Sequence, residues 1–295
     1  MAEGRRIEMT TAAKQEQLFQ ASDGVWVTPQ SMEQALRAVG AQDADVLFIH
    51  TDLTFGMPDM TRTRRELMTG MLKAVLALGV GTICVPTFTF SFPNGRDYDV
   101  RKSRSRMGAF NEYLRKQPEA VRSIDPLMSV ALLGDKKYLV TDIGHESIGR
   151  DCTFDLLHRE QGTVKFVFLG TQPAACFTYT HYMEHQLQVP YRYNRPFTGK
   201  ITTTDGKMYE DTYQLYVRYQ GVEPTSRDDF EQLLLSSGAM QKAPCGDGFV
   251  YCVEESAAYE AFMEQMAKNV NYILERPYPE VLDDTFRVTE EMVAL

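Results

Sequence analysis

The chain has 295 residues and lacks several features that would classify it at once. Its five cysteines, at 84, 152, 176, 245 and 252, include no C-x-x-C pair, and their number is odd. That argues against a disulfide framework and for reduced, mostly buried thiols in a cytosol. No apolar run approaches the ~20 residues that cross a bilayer. The beginning of the chain has no apolar signal-peptide core. The expectation is a cytoplasmic protein with no membrane partner. Positive charge is also short: 31 Lys and Arg against 40 Asp and Glu give a net charge of −9. Nucleic-acid binding needs a basic field to displace counterions from phosphates, so it is not expected. The acidic excess suits a cationic small molecule or simply keeps the protein soluble.

Well-known catalytic signatures are missing too. There is no G-x-x-x-x-G-K-[ST] phosphate loop, no G-x-G-x-x-G after a strand and no G-x-S-x-G elbow. Gly79-Val80-Gly81 precedes its strand and reads as a helix cap and turn. Nucleotide hydrolysis, Rossmann-type redox chemistry and the common hydrolase fold are therefore disfavoured. No repeat, low-complexity tract or Pro/Gly-rich linker interrupts the chain.

What is present is a large apolar complement, with 16 Phe and 15 Tyr. Ala44–His50, Thr82–Phe90 and Thr163–Leu169 are near-continuous apolar runs of the kind found in buried strands. Ser129–Gly134 is a shorter one. Helical spacing marks Thr61–Leu78, Met107–Lys116, Thr178–Gln188, Phe230–Ser236 and Ala257–Leu274, and Thr28-Pro29 opens a short helix. Lys200–Tyr219 reads as a hairpin around Asp205-Gly206. The pattern predicts an α/β fold: a central mixed sheet flanked by helices, with a hairpin inserted at 191–220 in the C-terminal third. Residues 1–295 read as a single domain, in which 1–24 form a mobile end or a loosely attached helix.

Reactive side chains are densest at Thr178-Tyr179-Thr180-His181-Tyr182-Met183-Glu184-His185. On a helix, His181 and Glu184 are three apart and share a face. A carboxylate fixes the tautomer of a neighbouring imidazole and favours its charged form. The positive end of the helix dipole favours the neutral ring that a general base needs. These opposed effects predict a pKa within about two units of neutrality. The same residues also spell His181-x-x-Glu184-His185, an inverted zinc-peptidase pattern in which two His bind zinc and Glu184 activates water. Cys176 is five residues before His181, and a buried thiol is expected there rather than a nucleophile. Arg101–Arg106 is a basic run suited to phosphates, with Arg104 and Arg106 its candidate ligands. The loops after the first two strong strands begin at His50, Thr51, Asp52 and at Pro86, Thr87, Phe88, where α/β ligand sites usually lie.

Over roughly residues 40 to 275 the chain resembles the aminoglycoside 3-N-acetyltransferase family. Phe177–Glu184 is similar to that family's T-x-x-H-x-x-E signature. Met107-Gly108-Ala109-Phe110-Asn111-Glu112, Arg115 and Val121–Ser129 are similar to its M-G-x-x-x-E…R-S-x-H-P-x-x-S block, with Asp125 in place of the His. Val189–Tyr193 and the following hairpin resemble the surface-sugar-biosynthesis members more than the drug-resistance enzymes. The resemblance implies direct acetyl transfer from acetyl-coenzyme A to an amine in a ternary complex, His181 acting as base and Glu184 orienting it. The acceptor it implies is an amino sugar, either an aminoglycoside or a biosynthetic, nucleotide-linked sugar. Thr178, Arg122, Asp125 and Ser129 are the candidate oxyanion or substrate-positioning residues; Arg122 and Asp125 flank a Pro-containing turn that reads either as a pair holding the loop or, by preference, as a purely structural turn. His50, Thr51, Asp52, Pro86, Thr87, Phe88, Arg104 and Arg106 are the candidate coenzyme A residues. No metal is expected, and a homodimer is left open as the assembly. The alternatives are a zinc-dependent hydrolase and a non-catalytic sugar-binding protein on the same fold.

Overall fold

The computed structural model describes residues 16–278. Its centre is a seven-stranded mixed sheet. The strand Val46–Thr51 lies between Thr82–Pro86 and Val164–Leu169 and is parallel to both. Val130–Gly134 and then Val121–Arg122 extend one side in antiparallel register. Gly248–Glu254 and then Met240–Cys245 extend the other.

Side chains alternate across a strand, and this sheet is buried on both faces. Val46 and Phe48 enter one apolar cluster while Leu47 and Ile49 enter the other. Helices Pro29–Ala38, Arg64–Leu76 and Ala109–Arg115 cover the second face. Helices Thr153–His158, Tyr179–Gln186, Asp228–Ser236 and Glu255–Lys268 cover the first. His50 continues the Val46–Phe48 row, so it points to the face that carries Tyr179–Gln186. Its ring stacks on Phe168 of the neighbouring strand at 5.0 Å and 10°.

Helix starts follow the local chemistry. Thr28 accepts from Ser31 N and Thr63 from Glu66 N, each a capping box closed by the side chain three residues on. The expected hairpin forms as two 11-residue strands, Arg192–Thr202 and Met208–Arg218. Tyr98–Asp99 joins its far end, pairing in parallel with Ile201–Thr202.

Two expectations need correction. Residues 1–15 lie outside the described residues, but 16–24 are neither helical nor loose. Phe19–Gln20 pairs with Trp26–Val27 and with Met57–Pro58, and Leu18 and Phe19 are buried. The hairpin Met240–Glu254 was not expected, although its two-residue turn Gly246-Asp247 is itself a turn signal. Its turn packs on the loop after the central strand, with Asp247 N donating to Phe55 O. Gly170, at φ +73°, ends the third parallel strand against that same loop, and a Cβ there would come within 2.4 Å of Asp52 O. Among the described residues no helix is long and apolar enough to cross a membrane.

Candidate active site

From the end of the strand Val164–Leu169 the chain passes through the short helix Pro173–Cys176 into the helix Tyr179–Gln186. Every residue from Tyr179 to His185 is buried. His181 Nδ1 lies 3.0 Å from Glu184 Oε2, the pairing expected of an i, i+3 helical spacing. A third member was not foreseen: Arg192, at the start of the hairpin. Its Nη2 is 2.8 Å from Glu184 Oε2 and 2.9 Å from His181 Nδ1. Its Nη1 donates to Tyr216 O. The three side chains are all but closed to solvent.

This arrangement sets the charges. Burial would raise the pKa of Glu184, but Arg192 and His181 outweigh it and hold the carboxyl at about 2. Burial and then the Arg192 cation push His181 down to about 4, against the pull of Glu184. The ring is therefore neutral at neutral pH, and more firmly so than the sequence reading expected. Desolvation and Arg192 decide this, two influences that helix spacing does not reveal.

Two backbone amides at the start of this helix are already engaged. Thr180 N donates to Phe177 O and His181 N to Thr178 O. The Thr178 hydroxyl donates to Cys176 O and stands 3.4 Å from His50 Nε2. Thr178 and His50 thus join the helix to the end of the central strand. Cys176 is partly buried, and burial pushes its thiol up to about 11, which disfavours a thiolate nucleophile. All five cysteines are free thiols.

The zinc pattern requires His181 and His185 to converge with a third ligand. Instead His181 faces Glu184, and His185 Nε2 lies 3.8 Å from Glu146 Oε2, its ring edge-on to Tyr216. Among the described residues no group of three His, Cys, Asp or Glu is placed to hold a metal ion.

Arg122 and Asp125 do not pair. Asp125 accepts from the amides of Leu127 and Met128 and from Ser147 Oγ, closing its own turn. Arg122 donates to Thr87 O and Oγ1, to Ser129 Oγ and to the carbonyls of Val100 and Ser103. Arg115 clasps Glu112 through two nitrogens and donates to Arg101 O, while Glu112 accepts from Ser105 N. The block Met107–Ser129 is therefore a frame that grips the backbone of residues 100–105 from two sides.

That grip holds the basic run at the rim of a cavity of about 760 Å³. Arg104 and Arg106 line it, as do Arg64 and Arg96, which no local motif announced. Thr89 and Ser91 are its wall from the second loop, whereas Pro86, Thr87 and Phe88 are buried beneath it. Gly108 lies in the same wall at φ +98°, where a Cβ would be 3.6 Å from Thr51 O. Thr51 in turn donates to Asn111, which donates to Pro86 O. Asp52 lies instead on a smaller cavity of about 350 Å³ with Thr54, Gly170 and Asp247.

The sequence profile of the aminoglycoside 3-N-acetyltransferases matches residues 63–267. The chain belongs to that family. It is an acyltransferase that uses acetyl-coenzyme A as co-substrate. Solved structures agree on the fold. The aminoglycoside acetyltransferase AAC(3)-Xa superposes with a TM-score of 0.67 at 19% identity, covering 82% of this chain and 93% of that one. AAC-IIIb, solved as a binary complex with CoASH, gives 0.65 at 20% identity, covering 85% and 99%. AAC-VIa, solved with sisomicin bound, gives 0.68 at 15% identity, covering 82% and 98%. No curated protein matches the acyltransferase by sequence.

Proposed function

We propose that the enzyme acetylates the amine of an amino sugar, with His181 taking the proton that nitrogen loses as it attacks the thioester. The observation that carries this reading is the buried Glu184–Arg192 ion pair against His181 Nδ1. Glu184 Oε2 accepts from Arg192; with the ring in the tautomer whose Nδ1–H donates to the same oxygen, the basic nitrogen is Nε2, and the 2.9 Å approach of Arg192 Nη2 to Nδ1 is a contact rather than a second hydrogen bond. A ring that titrates at about 4 is too weak to strip a free ammonium. It takes the proton during attack, when the forming N–C bond makes the nitrogen acidic. The imidazolium then formed is stabilised by Glu184.

The donor's phosphates are assigned to the basic cavity, where Arg64, Arg96, Arg104 and Arg106 offer charge-assisted hydrogen bonds. Contacts lead from this cavity to the base: Gly108 approaches Thr51, and His50 adjoins Thr178. Arg122, Asp125 and Ser129 serve by holding the cavity's loops rather than by touching substrate. The sisomicin complex of AAC-VIa supports an amino-sugar acceptor by analogy.

The test is release of coenzyme A thiol from acetyl-coenzyme A across a panel of aminoglycosides, simple amino sugars and nucleotide-linked amino sugars. Turnover by wild type, lost in His181→Ala while coenzyme A binding persists, is the expected result. Binding of the donor with no amine acetylated would favour a non-catalytic sugar-binding role.

A further inference from the structure

The hairpin that supplies Arg192 brings a second guanidinium with it. Arg192 and Arg218 are direct cross-strand partners, so they project from the same face. Arg227 opens the helix Asp228–Ser236 in the left-handed region, at φ 59°, and its charge is felt by both His181 and Glu184. Arg192, Arg218 and Arg227 are 9%, 7% and 9% exposed.

Arg192 is paired with Glu184. The other two are not paired. Among the described residues neither Arg218 nor Arg227 forms an ion pair, and Arg218 Nη1 and Arg227 Nε are buried with no hydrogen-bond partner. The neighbouring buried carboxylate, Glu231, accepts from Ala174 N and pairs with neither. A protein of net charge −9 thus keeps two unmatched cations beside its candidate base. Burying an unpaired charge is costly, and a planar guanidinium fork matches the oxygens of a phosphate or carboxylate.

We propose that the acceptor is an anionic amino sugar, whose phosphate or carboxylate docks on Arg218 and Arg227 while its amine meets His181. This rests on the reading of His181 as base and narrows its substrate class. A polycationic aminoglycoside meets repulsion at the same place. Arg218 and Arg227 would act as specificity residues, not as members of the proton-transfer machinery.

The experiment is steady-state thiol release with matched acceptors: glucosamine, glucosamine 1-phosphate, glucosamine 6-phosphate, a 2-amino-2-deoxyuronic acid and sisomicin. An anionic member should exceed glucosamine in kcat/KM by about tenfold or more, the value of one charge-assisted contact. Arg218→Gln and Arg227→Gln should erase that preference while leaving the KM of acetyl-coenzyme A near wild type, and Arg218→Gln should also leave the turnover of glucosamine near wild type. Arg218→Lys, which keeps the charge, should restore part of it. Inorganic phosphate should inhibit wild type competitively against the acceptor, and less so in the Gln variants. The uronic acid against the sugar phosphates decides which anion fits. Equal kcat/KM for charged and uncharged acceptors, or a variant whose only defect is a raised KM for acetyl-coenzyme A, overturns the proposal. Turnover of sisomicin alone overturns it while sparing the reading of His181. Silence with every amine overturns both.

Discussion

Arg192 and Glu184 form a buried ion pair 2.8 Å long, and it abuts the ring of His181. One residue comes from the hairpin and the other from the helix behind it. The pair is neutral as a unit, so the imidazole beside it feels an attractive carboxylate and a repulsive guanidinium together. Burial then tips the ring to its uncharged form. The pair also ties the hairpin's base to the helix Tyr179–Gln186.

Replacing His181 with alanine should lower kcat by about 10²–10⁴-fold, the usual worth of a positioned general base. The dissociation constant of coenzyme A should stay near the wild-type value, because the basic cavity is untouched. Loss of both together would point to a collapsed site instead.

Breaking the pair should cost stability. Glu184→Gln leaves Arg192 buried without its counter-charge, an effect of about 3–5 kcal/mol in comparable sites. Chemical denaturation should show it. A variant as stable as wild type would mean that the pair is solvated in solution.

Arg192→Gln should raise the pKa of His181, since the cation that helps depress it is gone while Glu184 remains. The chain has five His, so the ring can be followed individually by NMR. The wild-type ring should titrate at about 4. A ring unmoved in Arg192→Gln would assign its depression to burial alone.

His50 and His181 make folding sensitive to acid. Burial lowers His50 to about 3, and burial with Arg192 lowers His181 to about 4. Both values lie below the unfolded value of ~6.5, so the unfolded chain takes up these protons first. Stability contributed by the two rings is complete above pH ~6.5 and falls as pH drops, His181's contribution levelling off near 4 and that of His50 near 3. Each adds a slope of up to about 1.4 kcal/mol per pH unit in that window. Melting followed from pH 8 to 5 should flatten in His50→Gln, and an unchanged slope would show that His50 is already hydrated.

Reversing the charge at Arg104 and Arg106 should raise the KM of acetyl-coenzyme A by about tenfold, with kcat little changed. Added salt should mimic the effect in wild type, because both side chains are exposed. Kinetics identical to wild type would move the donor's phosphates elsewhere.

Local features were legible in the order of the amino acids. Val46–Thr51, Thr82–Pro86 and Val164–Leu169 were legible because a strand buried on both faces must be apolar throughout. Asp205-Gly206 announced its turn, and the i, i+3 spacing of His181 and Glu184 guaranteed their contact once a helix formed. Only the tertiary structure could bring Arg192 to that pair and set Arg218 and Arg227 beside it. It alone decided that Arg122 spends its donors on Thr87 and Ser129 rather than on Asp125, and that Arg64 and Arg96 join Arg104 and Arg106 around one cavity. These meetings depend on where a hairpin folds back and which strands become neighbours. A charged residue carries no periodic signal of the distant partner that will neutralise it, so the chain's local pattern revealed the base but not the field that keeps it neutral.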